Sequence, residues 1–139
     1  MATMYGYPDP AEQAAMLLDR VRVDAYARAI AAVVRPGDVV LDVGSGSGVL
    51  AMLAARAGAR RVYAVERTGA IALVREHVAH NQLAGVVEPI RADLADLAAL
   101  PEPPRVVVSE MLGHFAPAEQ SHKVRSEERR VGKECLRLC

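Results

Sequence analysis

The sequence predicts an α/β fold, a doubly wound parallel sheet, on three observations. Short, near-continuous apolar runs at Val39–Val43, Arg61–Val65 and Arg105–Ser109 read as strands buried on both faces. Segments of helical period alternate with them. Acidic residues fall at or just past the strand ends, at Asp42, Glu66, Asp93 and Glu110, so a parallel sheet would gather them along one rim.

Each element has its own signal. Asp9 at an N-cap, Pro10 at the first helical position and Glu12 three residues on open a helix. It is expected to run to Val34, with Leu18, Val21, Ala25, Ala29 and Val33 on one apolar face. Pro36-Gly37 ends it and leads into the first strand. A second helix spans Val49 to about Ala57 and stops at Gly58, before the strand that ends on Glu66. Thr68 caps a third helix running to about Leu83, terminated by Gly85. Val86–Ile90 is a weaker strand, and Pro89, which cannot donate to a ladder, puts it at a sheet edge. Pro101, Pro103 and Pro104 mark a loop before the fourth strand. The 139 residues suit one domain, and no internal repeat is present.

Composition narrows the function classes. A hydrophobic content of 52% supports a core, and a formal net charge of zero leaves no electrostatic footprint for nucleic acid. No apolar run reaches the roughly 20 residues of a membrane span. The N-terminus has no charged region leading into an apolar stretch, so the sequence reads as a soluble, cytoplasmic protein. Cys135 and Cys139 are too few and too local for a disulfide framework or a zinc site. His77 and His80, at i, i+3 without an acidic or sulfur partner at ligand spacing, read as surface residues, and no metal site is expected.

Residues 125–135, Arg-Ser-Glu-Glu-Arg-Arg-Val-Gly-Lys-Glu-Cys, break with the alanine- and valine-rich sequence before them. All eleven resemble one reading frame of a widely used DNA sequencing adapter; the alternative is an ordinary solvated tail. The expected organisation is therefore a partial domain over residues 1–124, its sheet truncated after the fourth strand. Residues 125–139 would then be a non-native, disordered tail that leaves that strand as an exposed edge. Without them the basic and acidic residues number 12 and 14.

The chemistry concentrates at Gly44-Ser45-Gly46-Ser47-Gly48, between the first strand and the helix after it. A strand, a glycine turn and a helix bring backbone amides to a bound cofactor, and a Cβ would hold the backbone away. Eighteen residues past Gly48, Glu66 stands where an acidic side chain accepts hydrogen bonds from ribose hydroxyls. The spacing G-x-G-x-G lacks the third glycine of dinucleotide enzymes, and Asp42 would repel a pyrophosphate. A cofactor with a ribose, a cationic end and no phosphate fits, which describes S-adenosylmethionine. The bland alternative is a tight strand-to-helix turn.

Four motifs in order then resemble the protein arginine methyltransferase family, within the class I S-adenosylmethionine-dependent methyltransferases. Met16-Leu17-x-Asp19-x-x-Arg22-x-x-x-Tyr26 resembles the family's cofactor-covering helix. Val40–Gly48 resembles its motif I, and Ala57-Gly58-Ala59-x-x-Val62 with Glu66 the post-I segment that follows it. Ser109-Glu110-Met111-Leu112-Gly113 with Glu119 resembles its paired-glutamate loop. The resemblance covers residues 16–119, the cofactor-binding half, and implies a Rossmann-like methyltransferase fold. It implies that Arg22 holds the cofactor carboxylate and that Gly44, Gly46 and Gly48 admit the cofactor backbone, with Asp42 ordering the loop. By the same resemblance Glu66 takes the ribose, Asp93 and the Leu94 backbone meet the adenine, and Met16 packs near the sulfonium. Glu110 and Glu119 would be catalytic, polarising and aiming a guanidinium; the alternatives are a strand end and a solvated helix start.

Met111 and His114 depart from the Trp and Tyr that many members carry, and the match at Tyr7 is loose. The function implied is methyl transfer to protein arginine, with a homodimer only in the full-length protein and little activity in this fragment alone. A class I methyltransferase acting on another protein side chain, an RNA or a small molecule is the alternative. A non-catalytic cofactor-binding module and an NAD-dependent oxidoreductase are further alternatives.

Overall fold

A computed structural model describes residues 10–97, 99–110 and 136–138. Its elements are α1 (Pro10–Leu18), α2 (Arg20–Val33), β1 (Val39–Val43), α3 (Val49–Arg56), β2 (Arg61–Glu66), α4 (Ile71–His80), β3 (Val87–Arg91), β4 (Val106–Ser109) and β5 (Leu136–Leu138). A 3-10 turn, Leu94–Asp96, follows β3. All strands are parallel, in the order β3-β2-β1-β4-β5. The expected α/β architecture is present.

Alternation along the buried strands divides the core between two sheet faces. Val40, Val62, Ala64, Val106 and Val108 face one way and meet Ile30 of α2, Leu50, Ala51 and Ala54 of α3, and Ile71, Val74 and Val78 of α4. Val39, Leu41, Val43, Tyr63, Val65 and Val107 face the other way, where Leu94, Leu97 and Leu100 cover them. Asp42 continues the first series on β1 and Glu66 continues it on β2, so both carboxylates lie on the α3 side at the carboxyl end of the sheet.

Three expectations change. The helix foreseen from Pro10 to Val34 is two helices, because the Asp19 carboxylate accepts the Arg22 N–H at 3.1 Å and starts α2 afresh. Its inward face is set by Ile30 and Val34 with Tyr26 and Val33, while Leu18 and Val21, flanking the break, are 79% and 82% exposed. On the far side of the sheet the uncovered β4 edge is replaced by a pairing with β5, Val106 opposite Leu136 and Val108 opposite Leu138. An open edge of three valines offers a ready ladder to any extended segment.

The β3 edge is as expected. Val62 N–H donates to Val86 C=O at 2.9 Å and Ala92 N–H to Glu66 C=O at 3.3 Å, so the even-numbered residues of this strand face β2. Pro89, opposite Ala64 in register, therefore turns its missing donor outward. At the opposite end of the strands, Arg105 clamps the start of β4 to Asp38 by a two-pronged ion pair and donates to the Val33 carbonyl at 2.7 Å. Asp38 also accepts the Arg35 N–H at 2.6 Å.

Candidate active site

The registers Val43 opposite Val65, Val43 opposite Ser109 and Glu66 opposite Arg91 level the carboxyl ends of β1 to β4. Asp42, Glu66, Asp93 and Glu110 consequently share one rim. The loop from Gly44 to Gly48 crosses it with φ of 70°, 56° and 84° at its three glycines, a region that favours glycine. Gly44 and Ser45 donate to the Val65 carbonyl at 2.9 and 3.1 Å, and Gly48 to the Ser45 carbonyl at 2.7 Å.

Asp42 anchors this loop from below. One carboxylate oxygen accepts the Ser45 hydroxyl and, at 3.1 Å, the Ala51 N–H of α3; the other, Oδ1, is buried with no hydrogen-bond partner. Burial pushes the carboxyl up to about 7, against the Ser45 and Ala51 hydrogen bonds, and the nearby Glu66 and Glu110 push the same way. Such a site disfavours further negative charge and suits a cation.

Glu66 is buried, and both its oxygens accept backbone donors: Gly46 N–H at 2.9 Å and Thr68 N–H at 2.8 Å. The residue expected to bind a ribose therefore also fixes the glycine loop. Each carboxylate oxygen has a second acceptor position, so the two tasks are compatible. Arg22 and Glu110, assigned from sequence to opposite ends of the reaction, form an ion pair between Nε and Oε1. Glu110 raises the Arg22 guanidinium further above its ordinary range.

Asp93 caps the turn after β3 by accepting the Ala95 N–H at 3.1 Å, and its carboxylate lies 3.8 Å from exposed Arg67. Leu94 is buried against the second face. Met16, on α1, is half-buried. Glu119, Tyr7, Met111, His114 and Cys135 lie outside the described residues, as does Cys139.

Two contacts with the loop escaped the sequence. Gln13 of α1 is buried, and a Cβ on Gly46 would meet its Oε1 at 2.9 Å, so this helix closes over the loop. His77, expected on the surface, is half-buried with Nδ1 2.8 Å from the Ser47 carbonyl. Its position beneath the loop replaces that expectation, and no signal within α4 marks it. His80 is exposed, and no cluster of metal-ligating residues occurs among the described residues. No helix among them is long and apolar enough to cross a membrane.

Comparison with known proteins adds an independent line. Residues 19–125 match the family model described as the TRM5/TYW2 methyltransferase domain. Protein arginine N-methyltransferase PRMT10 of Oryza sativa subsp. japonica is 48% identical over 105 residues, 74% of this chain and 27% of that protein. The chain thus spans about a quarter of that relative's length. The crystal structure of Arabidopsis thaliana protein arginine methyltransferase 10 superposes with a TM-score of 0.83 at 41% identity, over 91% of this chain and 37% of the other. The Trypanosoma brucei PRMT1 enzyme-prozyme heterotetrameric complex with AdoHcy gives a TM-score of 0.72 at 34% identity, over 77% of this chain and 34% of that one. An M. jannaschii tRNA m1G37 methyltransferase shares the fold alone, at 24% identity and a TM-score of 0.63, over 78% and 32% of the two chains.

Proposed function

The chain belongs to the TRM5/TYW2 methyltransferase-domain family, its curated relatives are protein arginine N-methyltransferases, and from that premise we propose that it serves methyl transfer from S-adenosylmethionine to a guanidinium nitrogen of protein arginine. The observation that carries the acceptor is the Arg22–Glu110 pair: the carboxylate at the end of β4 already holds a guanidinium.

The residues fit the cofactor. An orphaned buried carboxylate oxygen on Asp42 and the nearby charges of Glu66 and Glu110 favour a cationic ligand. Arg22 supplies a planar fork for a carboxylate. Gly44, Gly46 and Gly48 let the backbone close in, Glu66 takes the ribose hydroxyls, Asp93 and the Leu94 backbone meet the adenine, and Met16 packs near the sulfonium. When bound, the cofactor supplies a methyl group on that sulfonium. A guanidinium is protonated at physiological pH and a poor nucleophile. Glu110 and Glu119 draw its charge to one side and present one nitrogen, a task of orientation and electrostatics.

Transfer to RNA is a second reading, favoured by the TRM5/TYW2 match and opposed by the balanced charge. The two separate in one assay, in which a protein carrying this segment in its full-length context is given labelled S-adenosylmethionine with an arginine-rich peptide or a tRNA transcript. Label on the peptide is expected, and label on the tRNA alone would overturn the arginine reading. The proposal includes cytoplasmic residence and a body ending near residue 124. The family match stops at residue 125, and β5 is then an extraneous segment seated on an open edge.

A further inference from the structure

We propose that His77 is a positioning residue for the cofactor loop, its Nδ1–H bond to the Ser47 carbonyl fixing the peptide on which cofactor affinity depends. The inference rests on the cofactor reading above and adds to it a residue outside every motif of the sequence.

A loop with glycine at alternate positions has little stiffness of its own. Its first half is held from the strands, through Val65, Asp42 and Glu66. Its second half is held from the other side by α4. A Cβ on Gly48 would meet Val74 Cγ1 at 3.1 Å, and one turn later His77 reaches the Ser47 carbonyl at 2.8 Å. The Ser47–Gly48 peptide is thus gripped at both ends, its C=O by His77 and its N–H by the Ser45 carbonyl at 2.7 Å.

The grip has a rigid backing. Asn81 donates from its side chain to the His77 carbonyl at 2.9 Å, and Arg56 donates to the Asn81 side-chain oxygen at 2.9 Å. Arg56 ends α3, the helix that the glycine loop begins. Loop, α3, Arg56, Asn81 and His77 therefore form a closed circuit, and His77 is the link that returns to the loop.

A carbonyl only accepts, so His77 must carry hydrogen on Nδ1. Side-chain 15N NMR of the 139-residue chain near neutral pH should show the Nδ1–H tautomer for His77; a neutral Nε2–H form would overturn the proposal. In calorimetry with S-adenosylhomocysteine, His77→Leu should bind roughly five- to tenfold more weakly, the worth of one hydrogen bond. His77→Asn, whose amide N–H replaces the imidazole donor, should stay within about twofold of wild type on the same grounds. Wild-type affinity in His77→Leu, or equal losses in both variants, would overturn it. Wild-type protein that binds no S-adenosylhomocysteine would instead overturn the cofactor reading, and the tautomer measurement would still decide the hydrogen bond. Should His77→Leu fail to fold, the tautomer and the His77→Asn affinity decide it.

Discussion

Replacing Asp42 by asparagine should remove a pH dependence of stability that the wild-type chain carries between about pH 4 and pH 7. The carboxyl is 1% exposed, keeps one oxygen unpartnered, and ionises at about 7 where an ordinary aspartate does so at 3.8. Between those values the folded protein keeps a proton that the unfolded chain has released. Folding is therefore favoured fully below the lower value, and the contribution fades as pH rises through the upper one. At 1.36 kcal/mol per pH unit, the window is worth roughly 4 kcal/mol. Asparagine preserves the shape, and its oxygen still accepts from Ser45 and Ala51, but it does not titrate. Urea unfolding of both proteins at pH 4.5, 5.5, 6.5 and 7.5 gives the difference directly. The variant should gain on wild type by about 3–4 kcal/mol from the lowest pH to the highest. Asp38, held below the usual carboxylate range by Arg105, contributes with the opposite sign but is common to both proteins and cancels. Parallel curves would mean that Asp42 is ionised when folded, and the account of its burial would be wrong.

Other outcomes follow from the same rim. Glu66→Ala should weaken S-adenosylmethionine binding by about 2–4 kcal/mol in calorimetry, through both the ribose and the freed Gly46 N–H; unchanged affinity would remove Glu66 from the site. In the full-length context, Glu110→Gln and Glu119→Gln should each abolish transfer to an arginine peptide, with Glu119→Gln leaving cofactor affinity near wild type. A near-normal rate in Glu110→Gln would refute the paired-glutamate mechanism. A chain ending at Val124 loses only the short β4–β5 pairing and should melt close to the 139-residue chain, whereas a large drop would make residues 125–139 part of the body.

The strands were legible because a parallel sheet buried on both faces leaves unbroken apolar runs, and Val39–Val43 matches its run residue for residue. The glycine loop was legible for a similar reason, since few arrangements other than a left-handed turn against a ligand require glycine at alternate places. The break at Asp19 runs against the apolar period although its cause is local: an aspartate placed to cap α2 outweighs a period that would carry one helix through. The inward face of α2 shifts with it, because Leu18 ends α1 and Val21 lies in the first turn of α2, and neither joins the packed stripe. His77 was beyond reach for a different reason. Its partner lies 30 residues away, on the loop after β1, and nothing within α4 encodes that contact. The pairing of Arg22 with Glu110 is likewise a tertiary fact, joining the helix before the sheet to the end of its fourth strand.

The outward-facing Pro89 makes the sheet grow in one direction only. A chain approaching the free side of β3 finds no donor at the middle of a five-residue strand, and the ladder fails there. Any further pairing, whether by more of the same polypeptide or by a second molecule, is directed to the side of β4. That side already takes β5, Val106 opposite Leu136 and Val108 opposite Leu138. A single residue at one border thus gives the sheet one side that admits a partner strand and one that does not.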